Sequence, residues 1–249
     1  MTAPLSMTIV TITKDDLQGL RATLESTRRL RTQLGVTQIV IDGSTGSAQT
    51  QAHSLCLEEN VRYESHRAQG IANAFNRGIE LCQTEWIWHL NSADRVREDF
   101  PIEHLRLHLL NTRAPLVIYD VVLDRGFRDR RPPPHLMWPP VRTWVPQCST
   151  LLKRELFTQL GQFDESYAIS MDGEFWMRLF SRQDVSPDLV EIPLVAFALA
   201  GQSSRKGATS KEVLRWIWKH RWGFVKRGYQ RTKMTCGLIF HSVREILTS

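Results

Sequence analysis

The sequence predicts an α/β fold with a mainly parallel sheet, on three observations. Short β-branched and aliphatic runs alternate with stretches whose apolar residues recur at helical spacing, the pattern of strand–helix–strand units. Two of the runs end directly in an acid: Gln38-Ile39-Val40-Ile41 leads into Asp42-Gly43-Ser44, and Trp86-Ile87-Trp88-His89-Leu90 into Asn91-Ser92-Ala93-Asp94. Ligands of open α/β sheets bind outside the carboxyl ends of the strands, so these acids stand where a ligand would be held.

In chain order, Met7 to Thr13 alternates isoleucine with threonine and reads as a strand. Lys14-Asp15-Asp16 ends it, and either aspartate can cap a helix that turns Leu17, Leu20, Leu24 and Leu30 inward. After the strand at Gln38 come a helix from Ser47 to Glu58 and a short strand, Val61 to Glu64. The next helix places Ile71, Ala74, Phe75, Gly78, Ile79 and Cys82 on its inner face, with Asn73, Asn76, Arg77 and Glu80 elsewhere. It feeds the Trp86 strand.

A helix from Asp99 to Leu110 and a strand from Pro115 to Leu123 follow. The charged, proline-rich run from Asp124 to Pro134 can sustain neither helix nor sheet and reads as an exposed excursion. Val145 to Leu152 returns to the sheet, then a helix runs from Lys153 to Leu160. Met171 to Leu179 forms a helix with Asp172 and Glu174 at its amino end, where its dipole favours acids. Glu191 to Leu199 makes a final strand or strand pair. From Thr209 on, Leu214, Trp218, Trp222, Val225 and Tyr229 form one helical stripe flanked by Arg215, Lys219 and Lys226.

Composition narrows the class. Of 249 residues, 42% are hydrophobic and 23% charged, as in ordinary globular proteins. The net charge of +6 is uneven: Gly201 to Ser249 holds 11 Lys or Arg against 2 Asp or Glu, leaving 21 against 24 before it. We therefore expect a main domain over residues 1–200 and a basic helical extension over 201–249. Cys56, Cys82, Cys148 and Cys236 form no CxxC pair, which points to buried thiols rather than disulfides or zinc. The amino terminus lacks a signal-peptide pattern, so a cytoplasmic protein is expected. No zinc pattern or RNP motif accompanies the basic tail, and no nucleic-acid partner is expected. A tryptophan-bearing basic helix suits an anionic membrane surface, which predicts peripheral contact at the inner face; the alternative is that the stripe packs back on the domain.

The line SHRAQGIANAFNRGIELCQTEWIWHLNSAD, with Asp42-Gly43-Ser44 before it and the Gly161-Gln162-Phe163-Asp164-Glu165 turn and Met171-Asp172-Gly173-Glu174 after it, resembles the family 2 glycosyltransferases over about the first 200 residues. The likeness is greatest to short bacterial enzymes of exopolysaccharide assembly, of the colanic acid type. It implies a GT-A fold, in which Asp42 contacts the nucleobase, Thr11 lines the same pocket, and Gly70, Asn76 and Asn91 complete the donor site. Asp94 would be the metal ligand. One carboxylate with phosphate oxygens and waters satisfies octahedral Mn²⁺ or Mg²⁺. Asp172 aligns with the general base, with Glu174 the near alternative; chemistry asks for one ionised carboxylate to take the acceptor's proton.

The resemblance thus implies an inverting, metal-dependent transfer of sugar from a nucleotide-diphosphate donor, most often UDP-linked, to a glycan or lipid-linked glycan hydroxyl in surface polysaccharide synthesis. The chain departs from the family pattern at Ala68, Asn73 and Ala93, where acids are usual. A nucleotide-sugar-binding protein with little or no transferase activity is the alternative expectation. His66 and Arg67 would then either meet the diphosphate or face water, and Gly201-Gln202-Ser203-Ser204 would close over it or stay a solvated loop.

Overall fold

The threonine and isoleucine run forms β1, Met7–Thr13, buried along nearly its whole length. This computed structural model describes residues 3–123, 145–182 and 185–197, with Glu212, Arg215, Trp218 and Lys219. Asp16 caps α1, Leu17–Leu34, its Oδ1 accepting the Gly19 N–H at 3.0 Å. β2 is Thr37–Asp42, α2 Gly46–Glu58, β3 Arg62–Ser65 and α3 Ile71–Leu81. β4 spans Trp86–Asn91, β5 Arg95–Val96, α4 Ile102–Asn111 and β6 Leu116–Leu123. A 3-10 turn, Gln147–Ser149, precedes β7, Thr150–Lys153, then α5, Glu155–Leu160, α6, Met171–Phe180, and β8, Asp188–Phe197.

The eight strands lie in the order β3-β2-β1-β4-β7-β6-β8-β5. β3, β2, β1 and β4 are mutually parallel, while β7 runs antiparallel to both β4 and β6. The mainly parallel mixed sheet flanked by helices is therefore as expected, with an antiparallel insertion. Leu20 and Leu24 of α1 pack with Val40 of β2 and Ala52, Leu55 and Cys56 of α2 on one face. α3 approaches β1 so closely that a Cβ on Gly78 would stand 2.1 Å from Val10 Cγ1; only glycine fits.

Three features differ from expectation. The run from Val145 joins the sheet only at Thr150, after the Gln147–Ser149 turn. The two-residue β5 was not foreseen, since a strand that short carries no periodicity to read. Asn76, assigned away from the core, is buried. At 100° per residue it shares a stripe with Ala72 and Ile79, which are also buried.

His89 is buried in β4 between the rings of Phe75 and Phe157, at centroid distances of 4.8 and 5.7 Å. Desolvation holds it neutral, pushing its pKa down to about 3. The described cysteines, Cys56, Cys82 and Cys148, are free and buried. Burial pushes the Cys56 thiol up to about 12 and the Cys82 thiol up to about 11, which makes both unreactive.

By its contacts the chain divides into two compact units. The first comprises Met1–Asp129, Pro146–Gln162 and Ser186–Leu199; the second Arg130–Val145, Phe163–Val185 and Ala200–Ser249. The α6 segment thus belongs with the carboxyl-terminal extension.

Candidate active site

In the first unit the parallel register brings four strand tips together. Thr13 pairs with Asp42, Asp42 with Ser65, and Ile12 with Asn91. Asp42 is 0% exposed: its Oδ1 accepts the Ser44 N–H at 2.8 Å and its Oδ2 the Tyr63 hydroxyl at 2.9 Å. Burial, then this hydrogen bond, pushes the Tyr63 phenol well up. Gly43 lies against Ala68, whose Cβ would be 3.0 Å from a Cβ at 43.

Thr11, expected beside Asp42, lies in β1 two residues before its tip. It is fully buried, and its hydroxyl accepts from Gln38 Nε2 at 2.9 Å. Gln38 Oε1 in turn accepts from Thr27 Oγ1 at 2.7 Å and Arg31 at 2.8 Å. Through this chain of hydrogen bonds Thr11 ties β1 to β2 and α1.

The acid-bearing turn is a tight one. The Ser92 N–H donates to Ile12 O at 3.0 Å, and the Asp94 N–H to Asn91 O at 3.2 Å. Ala93 takes φ 74°, a left-handed conformation that costs an L-residue on the order of 1 kcal/mol. α1 holds the turn from one side: Thr23 Oγ1 donates to Asp94 O at 2.8 Å, and Ser26 Oγ accepts the Val96 N–H at 3.1 Å. Ser92 Oγ donates to Asp16 Oδ2 at 2.9 Å. Asp94 is 2% exposed, and its Oδ2 accepts from Asn91 Nδ2 at 3.3 Å.

The Asp94 carboxylate and the Asn91 amide offer hard oxygens that suit Mn²⁺ or Mg²⁺. Among the described residues no three His, Cys, Asp or Glu side chains stand together as a metal site.

Gly70 precedes α3 with φ 115° and open space where a Cβ would be, so its backbone conformation and not crowding demands glycine. As a glycine, Gly70 offers no side chain to cap α3, and helix amino termini suit anions. His66 Nε2 lies 2.7 Å from Asn73 Oδ1, which ties the Ser65–Gly70 loop to that helix.

In the second unit, Asp172 and Glu174 both lie in the first turn of α6 but in opposite states. Glu174 is 0% exposed and held by Arg178 Nε at 2.8 Å and Lys219 Nζ at 3.0 Å. Asp172 is partly buried; the Gly173 N–H donates to it at 2.8 Å, and no cation or side-chain donor among the described residues reaches it. Desolvation, together with repulsion from Glu212, pushes its pKa up to about 6 against backbone hydrogen bonds.

The residues after 200 supply the rest. Glu212, Arg215, Trp218 and Lys219 are all helical. Arg215 donates to Ser166 O at 2.9 Å and Lys219 to Asp164 Oδ2 at 2.7 Å. Arg215 and Lys219, expected to flank a stripe toward water or membrane, instead engage this unit's own acid segment. Trp218 is 58% exposed. The rest of the stripe, the Asp124–Pro134 excursion and the Gly201–Ser204 segment lie outside the described residues. Among the described residues no helix is long and apolar enough to cross a membrane.

Residues 8–184 match glycosyl transferase family 2. The chain belongs to this family. A glycosyltransferase of Mycobacterium tuberculosis, itself uncharacterised, is 28% identical over 184 residues, 72% of this chain and 70% of its own. A Rickettsia conorii glycosyltransferase is 26% identical over 156 residues, 57% of this chain and 26% of its own. Staphylococcus aureus TarS 1–349, solved with UDP, superposes with a TM-score of 0.70 at 10% identity, over 94% of this chain and 70% of that one. The mannosyltransferase PcManGT of Pyrobaculum calidifontis, solved with GDP-Man and Mn²⁺, gives 0.70 at 12% identity, over 99% and 73%. The family 2 fold seen here is thus GT-A, and the chain is a glycosyltransferase.

Proposed function

We propose that this family 2 enzyme transfers a sugar, with inversion, from a UDP-linked donor to a hydroxyl of a glycan or lipid-linked glycan in surface polysaccharide assembly, of the exopolysaccharide type. The observation that carries the donor half is the meeting of three parallel strand tips at Thr13, Asp42 and the Asn91–Asp94 turn. Solved relatives in fold hold UDP or GDP-Man, which supports a nucleoside diphosphate at these tips. Asp42 fixes the turn and Tyr63 at the base end, the start of α3 after Gly70 would face the diphosphate, and Asn91, with buried Asn76 as its counterpart on α3, would add polar groups to the donor site. Asp94, with Asn91 beside it, would hold Mn²⁺ or Mg²⁺. The cation would neutralise charge on the leaving diphosphate.

Asp172 is the general base in this reading. Glu174 is committed to two cations and buried, whereas Asp172 has no salt-bridge partner among the described residues. Its pKa near 6 leaves it ionised at neutral pH yet basic enough to take a proton. The acceptor oxygen loses its proton to Asp172 as it bonds to the anomeric carbon, and the bond from that carbon to the diphosphate oxygen breaks with its electrons. One displacement inverts the centre. Exposed Trp218 supports a peripheral membrane contact at the acceptor's source.

Calorimetric titration with UDP, GDP and TDP, with and without Mn²⁺, tests the donor site. One nucleotide should bind with a clear dependence on Mn²⁺, and Asp94→Asn should remove that dependence. Binding that ignores both the metal and the mutation would refute Asp94 as ligand. Metal-dependent nucleotide binding without turnover on any acceptor would favour the nucleotide-sugar-binding alternative.

A further inference from the structure

Ser170 occupies the N-cap position of α6, where a serine hydroxyl ordinarily accepts an N–H of the first turn, yet it makes no such bond. Its donors turn the other way. The Ala168 N–H donates to Glu212 Oε1 at 2.7 Å, and the Ile169 and Ser170 N–H groups donate to Oε2 at 3.0 and 2.8 Å. The Ser170 hydroxyl adds a fourth bond to Oε2 at 3.1 Å. Three consecutive amides and a hydroxyl converge on one carboxylate, a backbone nest closed by an acid more than forty residues away in sequence. Burial works against ionisation of Glu212, but the amides of Ser170, Ile169 and Ala168 outweigh it and hold its pKa below the usual range.

Glu212, Arg215 and Lys219 lie at i, i+3 and i+7, so one helix face meets the 164–174 segment at three points. These points are not equivalent. Lys219 grips Asp164 and Glu174, and Arg215 grips Ser166 and covers the Tyr167 ring at 4.6 Å. Among the described residues of this helix, Glu212 is the one that holds the chain entering α6, two residues before Asp172. Hydrogen bonds to a charged carboxylate are among the stronger ones, and four of them leave that backbone little freedom.

We infer that Glu212 is a positioning residue for the transfer reaction: by closing the Ala168–Ser170 nest it fixes the start of α6 and hence where the Asp172 carboxylate stands. This rests on the reading of Asp172 as the base. Misplacing a catalytic group by about 1 Å costs on the order of 100-fold in rate, so kcat is the quantity that reports it.

The test is steady-state kinetics on Glu212→Ala, Glu212→Gln, Arg215→Ala and Asp172→Asn, with thermal melts to correct for the folded fraction. Glu212→Ala should lower kcat roughly 10- to 100-fold with the donor KM little changed. Glu212→Gln, which keeps one acceptor oxygen, should fall between it and wild type, and it carries the test if the alanine variant does not fold. Arg215→Ala should lower the melting temperature and leave kcat near wild type. On the Asp172→Asn background, Glu212→Gln should lower the residual rate no further. A kcat loss at Glu212 no greater than at Arg215, or a full additional loss on that background, would overturn the inference while leaving the base assignment intact. Wild-type turnover by Asp172→Asn would overturn the base assignment and the inference with it.

Discussion

The Asn91–Asp94 turn and the Asp164–Glu174 segment both present acids, and the contacts described for them differ. Among the described residues, backbone register and hydroxyl and amide donors contribute to the first: Ser92 bonds to Ile12, Thr23 to Asp94, and Asn91 to the Asp94 carboxylate. Ionic side chains from beyond residue 200 shape the second, where Lys219 and Glu212 engage Asp164, Glu174 and the Ala168–Ser170 amides. A sheet can fix an acid by its own hydrogen bonds. A helix amino terminus entered from a loop needs another segment to hold it.

Within the second region the ionic contacts reach Glu174 and not Asp172 among the described residues, and the substitutions with the largest expected effect exploit that difference. Asp172→Asn should reduce kcat by about 10²- to 10⁴-fold, the usual contribution of a general base. It should also stabilise the fold at pH 7. The folded pKa near 6 lies above the unfolded value of 3.8, so between those values the folded chain holds a proton that the unfolded chain has released. Rising pH therefore weakens folding across that window, and the asparagine removes a penalty on the order of 1–3 kcal/mol.

Glu174→Gln should do the reverse. Removing one member of a buried ion pair costs about 3–5 kcal/mol, toward the lower end here because Lys219 is half exposed and can regain water. Turnover per folded molecule should stay near wild type, and a chemical melt beside a rate assay reads both quantities. A variant that loses turnover without losing stability would move the base to Glu174.

A smaller effect concerns the strand that carries the first turn. His89 titrates near 3 folded and near 6.5 unfolded, so the unfolded chain binds the proton more readily and falling pH favours it. Its contribution is complete above about pH 6.5 and is lost by about 1.4 kcal/mol per pH unit below it. Replacing His89 with leucine should flatten the acid side of the stability profile, measured by urea unfolding from pH 4.5 to 7.

The two regions were also unequally legible. Strands β1, β2 and β4 and the acids at their tips could be read from short apolar runs that end in Asp, because strand length and composition are local properties. The direction of the Thr11 side chain could not, since it depends on which of two sheet faces meets α1. Asn76 was within reach, as Ala72, Asn76 and Ile79 share one helical stripe. In the second region the two acids at the start of α6 were legible from the helix dipole, whereas the Glu174–Arg178 ion pair at i, i+4 was not read although its spacing allows it. Glu212 and Lys219 gave no such signal. Their partners lie about 45 residues away, and only the folded chain brings them together.

The measurement that bears most directly on the account is the release of nucleoside diphosphate between pH 4.5 and 8, at saturating donor and acceptor, for wild type and Asp172→Asn. The wild-type rate should rise through a half-maximum near pH 6, as Asp172 ionises, and reach a plateau; the residual rate of the variant should lack that limb. A wild-type profile flat through pH 6, or the same limb persisting in Asp172→Asn, would contradict Asp172 as the base.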